Sequence, residues 1–211
     1  GSKSLLYSII QAIDGDILLP RPSWVSYSSI ATMCNRSIKR FDLNKNNGYK
    51  LNIDSLKDAY SSAKNSGVNP SMLVLNSPNN PVGNSFEKSD IQSVANWAQE
   101  NNITILSDEI YGLITFKENK HHTPLTYYPD KTIVFSGLSK HLSLGGWRLG
   151  ISILPRNSFG QQLISKFESI SGNIWSCVPS PFQVVGETAF SDNESIADYI
   201  NVCTNIHRIR T

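Results

Sequence analysis

Ser136-Gly137-Leu138-Ser139-Lys140-His141-Leu142-Ser143-Leu144-Gly145-Gly146-Trp147-Arg148-Leu149-Gly150 is the stretch on which the reading of this chain turns. It follows Thr132-Ile133-Val134-Phe135, an unbroken apolar run suited to a strand covered on both faces. The strand thus opens into small and polar residues holding one lysine, Lys140, and one arginine, Arg148, eight positions later. Small residues let a backbone come close to a bound group. A lysine in a partly desolvated pocket loses some of its preference for the ammonium form, which frees its amine to attack a carbonyl. A guanidinium fork suits a phosphate dianion through paired charge-assisted hydrogen bonds. Together the two suit a small molecule with an aldehyde at one end and a phosphate at the other.

Working outward, the same alternation recurs. Ile17-Leu18-Leu19, Met72-Leu73-Val74-Leu75, Ile103-Thr104-Ile105-Leu106 and residues 150–154 read as further strands, with residues 37–43 extended. Between them residues 4–13, 23–32 and 87–100 read as helices, the last carrying Ile91, Val94, Ala95 and Ala98 at helical spacing. Asp54 is the expected N-cap of a helix reaching Asn65, and the chain is mainly helical from Arg156 onward. Strands alternating with helices predict an α/β fold, three-layer αβα around a mostly parallel sheet. The chain has 211 residues, and a formal net charge of +2 gives no hint of a nucleic-acid partner. No apolar run reaches the roughly 20 residues of a membrane span, and no basic-then-apolar leader is visible, so neither a membrane nor secretion is expected. Cys34, Cys177 and Cys203 are scattered and form neither a disulfide framework nor a zinc site. A cytoplasmic protein is the expectation.

In open α/β sheets chemistry gathers where strands end. Asp108, in Ser107-Asp108-Glu109-Ile110-Tyr111, stands at the end of a buried strand, where a bare carboxylate is costly unless it meets a cation; capping a following helix is the competing role. Asn76-Ser77-Pro78-Asn79-Asn80-Pro81-Val82-Gly83 read alone is turn chemistry. Gly1-Ser2-Lys3 leads into a helix whose first N–H groups can bind an anion, although a leading Gly-Ser is also a common cloning remnant. Trp24, after Pro22-Ser23, offers a flat apolar face, as a core tryptophan would. Asn80 and Asp108 lie 28 residues apart, and Asp108 and Lys140 lie 32 apart, enough for one strand–helix unit each time.

These segments, in this order, resemble the motifs of the class I/II aminotransferases, fold-type I enzymes of pyridoxal 5′-phosphate, from Gly1 to about Phe190. The resemblance implies that Lys140 is catalytic and holds the cofactor covalently, and that Arg148 holds its phosphate with Gly1, Ser2 and Lys3. It implies that Trp24 stacks on the ring, Asp108 pairs with the ring nitrogen, and Asn80 and Tyr111 bond the phenolic oxygen. Gly137 stands where many members carry a phosphate-binding serine, leaving Ser139 or Ser136 as the substitute. In some relatives a lysine at the Lys3 position approaches an acidic substrate side chain, which favours a dicarboxylate.

The implied function is transfer of an amino group between an L-amino acid and a 2-oxo acid. The alternatives are a lyase or synthase of the same family, or a non-catalytic sensor or inactive fragment. Family members are about twice this length, so the chain reads as a large domain truncated at both ends. Residues 192–211 would then begin the connection to a small domain. Arg156, Arg208 and Arg210 sit in no recognisable version of that domain's carboxylate-gripping motif. A homodimer is expected of the full-length protein. His121-His122 reads as an exposed loop rather than a metal site, Glu109 and His141 receive no role, and Trp97, Trp147 and Trp175 read as packing.

Overall fold

Leu18, Leu73, Leu75 and Ile105 face one side of a sheet, while Ile17, Leu19, Met72, Val74, Leu106 and Phe135 face the other. Because a strand sends successive side chains to opposite faces, unbroken apolar runs need cover on both. The computed structural model, which describes residues 1–116 and 120–210, supplies that cover with helices. The strands are β1 (Asp16–Arg21), β2 (Ile38–Asp42), β3 (Pro70–Asn76), β4 (Thr104–Asp108), β5 (Thr132–Gly137) and β6 (Gly150–Ile153). They form one sheet in the order β2-β1-β3-β4-β5-β6, parallel except for β6, which runs antiparallel to β5.

Helices α1 (Ser2–Ala12), α2 (Val25–Met33) and α5 (Ser158–Ile174) cover one face through Leu6, Ile9, Ile10, Tyr27, Ile30 and Leu163. Helices α3 (Ile53–Asn65) and α4 (Lys88–Glu100) cover the other through Leu56, Ala59, Ile91, Val94, Ala95 and Ala98. The result is the expected three-layer αβα arrangement. Helix α6 (Ser180–Ala189) buries only Ala189, and α7 (Glu194–Arg210) buries no residue. Among the described residues, no helix is long and apolar enough to cross a membrane.

One cap differs from expectation. Asn52, not Asp54, caps α3: its side chain accepts from the Ser55 N–H at 3.1 Å. Asp54 already lies in the first turn, where its charge favours the helix dipole instead.

The strand order reverses beside β1: α2 leads outward to β2 on one face, and α3 returns to β3 on the other. Such a reversal leaves a crevice at the carboxyl ends of the central strands. Asn76 and Asp108 end β3 and β4 as register partners there, and Asp108 pairs with Phe135 of β5. The start of β6 sits directly against α1, since a Cβ on Gly150 would lie 2.5 Å from the Ser2 nitrogen.

Candidate active site

The crevice is a cavity of about 250 Å³. Nine of the ten residues singled out in the sequence line it: Ser2, Lys3, Trp24, Asn80, Asp108, Tyr111, Ser139, Lys140 and Arg148. Gly1 stands just outside the lining as the N-cap of α1, and its nitrogen donates to the Arg148 carbonyl. Ser136 is not in the lining, so Ser139 is the serine that remains at the cavity. Gly137 cannot be exchanged freely for a larger residue, because a Cβ there would lie 2.7 Å from the carbonyl oxygen of Leu149, the residue before β6.

Asp108 is 3 % exposed and makes no ion pair with a basic side chain among the described residues. Its Oδ2 accepts from the Tyr27 hydroxyl at 2.8 Å and its Oδ1 from the Ile110 N–H at 3.2 Å. Burial pushes its carboxyl up to about 6, and the Tyr27 and Ile110 bonds pull against that rise. No helix follows Asp108, so the capping role falls away; residues 110–113 form a turn. A buried carboxylate with only two neutral donors, open to a cavity, suits a cationic ring nitrogen.

Asn76 ties the strand end to the asparagine loop. Its Nδ2 donates to the Asp108 carbonyl at 2.9 Å, and its Oδ1 accepts from the Asn80 N–H at 2.8 Å. The loop is closed again by the Gly83 N–H, which donates to the Asn79 carbonyl at 2.6 Å with Gly83 at φ +85°. The Asn80 Nδ2 then lies 3.4 Å from the Tyr111 hydroxyl. Lys140 Nζ lies 5.5 Å from the centre of the Tyr111 ring. At the other end, the first turn of α1 holds no acidic residue and no side-chain cap. Arg148 bonds the Gly145 carbonyl and pairs with no carboxylate among the described residues. A guanidinium beside free helix N–H groups is an anion site. Lys3 Nζ lies 5.0 Å from the centre of the Trp24 ring, whose edge meets Tyr27 at 5.3 Å between centroids. The donor set fits pyridoxal 5′-phosphate: a carboxylate for a ring cation, an amine for an aldehyde, and a cationic helix start for a phosphate.

The pattern of the class I and II aminotransferases matches residues 1–211, the whole chain. The chain belongs to that family. Among its relatives is a protein named probable aspartate aminotransferase from Methanocaldococcus jannaschii, 37 % identical over 151 residues, covering 71 % of this chain and 38 % of the relative. A protein named probable aspartate/prephenate aminotransferase from Aquifex aeolicus is 28 % identical over 97 % of this chain and 50 % of its own length. The aspartate aminotransferase from Thermus thermophilus with maleate superposes over the whole chain and 53 % of its own, with a TM-score of 0.88 and 25 % identity. The chain thus spans about two fifths to half the length of these aminotransferases.

Tyr27 and Asn76 escaped the sequence reading. Tyr27 reads as an ordinary core aromatic until α2 is seen beneath Asp108, and Asn76 as a turn residue until β3 is paired with β4. His121 is not on an exposed loop: it is half-buried, with Nε2 2.8 Å from Glu109 Oε2. His141 is buried against the Phe190 ring, which lowers its basicity by desolvation. Trp97 is core, but Trp147 is 44 % exposed with its ring edge-on to Phe182. Among the described residues no group of three or more His, Cys, Asp or Glu could hold a metal.

Proposed function

We propose that this chain is the cofactor-binding part of a pyridoxal 5′-phosphate-dependent aminotransferase that moves an amino group between an L-amino acid and a 2-oxo acid. The observation that carries the reading is the shared cavity of Lys140, Arg148 and the buried Asp108, which forms no ion pair among the described residues. When bound, the cofactor supplies an aldehyde that condenses with amines and a ring that draws electrons from the substrate Cα.

In this reading Arg148 and the α1 N-terminus bind the phosphate. Asp108 holds a proton on the ring nitrogen, and Tyr27 steadies Asp108 by donating to Oδ2. Asn80 and Tyr111 donate to the phenolic oxygen and set the ring's orientation. Trp24 covers the ring and excludes water. Lys140 Nζ would hold the cofactor through its aldehyde and, as a free amine, would carry the substrate Cα proton as a general base and acid. The relatives' names and the place of Lys3 in the lining support an acidic amino acid as donor.

The test is borohydride reduction of the intact protein with pyridoxal phosphate, followed by digestion. The expected product is a tagged peptide carrying Lys140, absent from Lys140→Ala. Spectral change on adding aspartate, and its reversal by a 2-oxo acid, completes the test. A wild-type digest without the tagged Lys140 peptide overturns the reading.

A further inference from the structure

Glu109 lies between Asp108 and Tyr111 in sequence yet does not line the cavity. Its carboxylate collects three partners: Oε1 accepts from the Ser107 hydroxyl at 2.9 Å and the Thr123 hydroxyl at 2.6 Å, and Oε2 meets His121 Nε2 at 2.8 Å. The Glu109 and His121 side chains are 12 % and 17 % exposed. A well-satisfied, mostly buried carboxylate fixes its surroundings far more firmly than a surface ion pair does.

The main chain repeats the pattern. The Glu109 N–H donates to the Phe135 carbonyl of β5 at 2.9 Å, and the Gly112 N–H donates to the Glu109 carbonyl at 2.8 Å. Residues 109–112 therefore close one turn with Tyr111 inside it. The far end of that turn is covered by the His121 ring, since a Cβ on Gly112 would lie 3.2 Å from His121 Cδ2. Glu109 thus grips one end of the turn directly and the other through His121.

We propose that Glu109, clamped by Ser107, Thr123 and His121, is a positioning residue that aims the Tyr111 hydroxyl at Asn80 and the cavity. The inference rests on the aminotransferase reading and adds to it a part for residues outside the cavity. A hydroxyl that must meet a developing charge loses much of its effect when displaced by about 1 Å.

A double-mutant cycle on the intact, cofactor-loaded protein tests it, with Glu109→Ala, Tyr111→Phe and the double variant. Two quantities are read in each: kcat, and the pH midpoint of the bound chromophore's visible band. Glu109→Ala alone is expected to lower kcat about tenfold, with KM changing less than about threefold, and to shift the midpoint. In the Tyr111→Phe background the same substitution is expected to change kcat by less than about twofold and leave the midpoint in place. Thr123→Val, which removes one donor, serves in the same cycle if Glu109→Ala does not fold. A full tenfold loss in the Tyr111→Phe background, or a lowered Tm with kcat and midpoint unchanged, overturns the inference. Borohydride tagging of Lys140 in wild type runs alongside. Its failure overturns both readings, whereas tagging without coupling overturns only this one.

Discussion

The Tyr27 hydroxyl donates to Oδ2 of Asp108 at 2.8 Å, joining residues 81 positions apart. Burial, with Asp108 alongside, raises Tyr27 well above an ordinary tyrosine, so it stays a donor at every working pH. Tyr27→Phe removes that donor and leaves Oδ2 unpaired. Loss of stability is expected to be about 1–3 kcal/mol at pH 8, where the carboxylate is charged, and smaller at pH 4.5. Urea denaturation at the two pH values checks this; equal losses would show that the charge on Asp108 is irrelevant to the bond.

Asp108 itself gives a signed pH dependence. Its carboxyl titrates at about 6 in the folded cofactor-free chain, against 3.8 as the ordinary value. Between those values the folded state keeps a proton that the unfolded state has released, so stability falls as pH rises through the window. The cost is complete above pH 6 and amounts to about 3 kcal/mol. Asp108→Asn is expected to abolish this fall, gaining stability over wild type above pH 6 and little near pH 4. Pyridoxal phosphate, by supplying a ring cation, is expected to reverse the wild-type trend and to bind the variant more weakly. Denaturation midpoints from pH 4 to 8, with and without cofactor, decide it.

Gly137→Ser places a Cβ 2.7 Å from the backbone carbonyl oxygen of Leu149, just ahead of β6, which cannot swing away as a side-chain end can. The expected cost is about 1–3 kcal/mol, seen as a lower Tm, with no gain in phosphate affinity. An unchanged Tm with tighter pyridoxal phosphate binding would contradict the packing argument.

Arg148→Lys keeps the charge and loses the planar fork. Affinity for pyridoxal phosphate is expected to fall about tenfold, with Lys140 still tagged at saturating cofactor. Fluorescence titration with the cofactor, and competition by inorganic phosphate, measures the loss. Unchanged affinity would remove Arg148 from the phosphate site.

Much of this was legible along the chain. Apolar runs such as Met72-Leu73-Val74-Leu75 are too uniformly buried to be surface strands, and the helical spacing of Ile91, Val94, Ala95 and Ala98 declares its own face. Asn80, Asp108, Tyr111 and Lys140 were findable because each ends or closely follows one of the parallel strands β3, β4 and β5, whose carboxyl ends open on one side, and Arg148 because it closes the loop from β5 to β6. The α3 cap was misplaced by two residues because Asn52 and Asp54 both suit a helix start, and only backbone geometry separates them.

Local order and residue type, then, determined the αβα layering and the chemistry at the strand ends, since both are written within a few residues of each other. The partners were decided by the tertiary structure alone: Tyr27 beneath Asp108, Asn76 bridging two strand ends, His121 and Thr123 around Glu109. These contacts depend on which strand lies beside which and on which face a helix returns. Hydrogen bonds reaching across the fold, unlike periodicity, leave no trace in the spacing of residues along the chain.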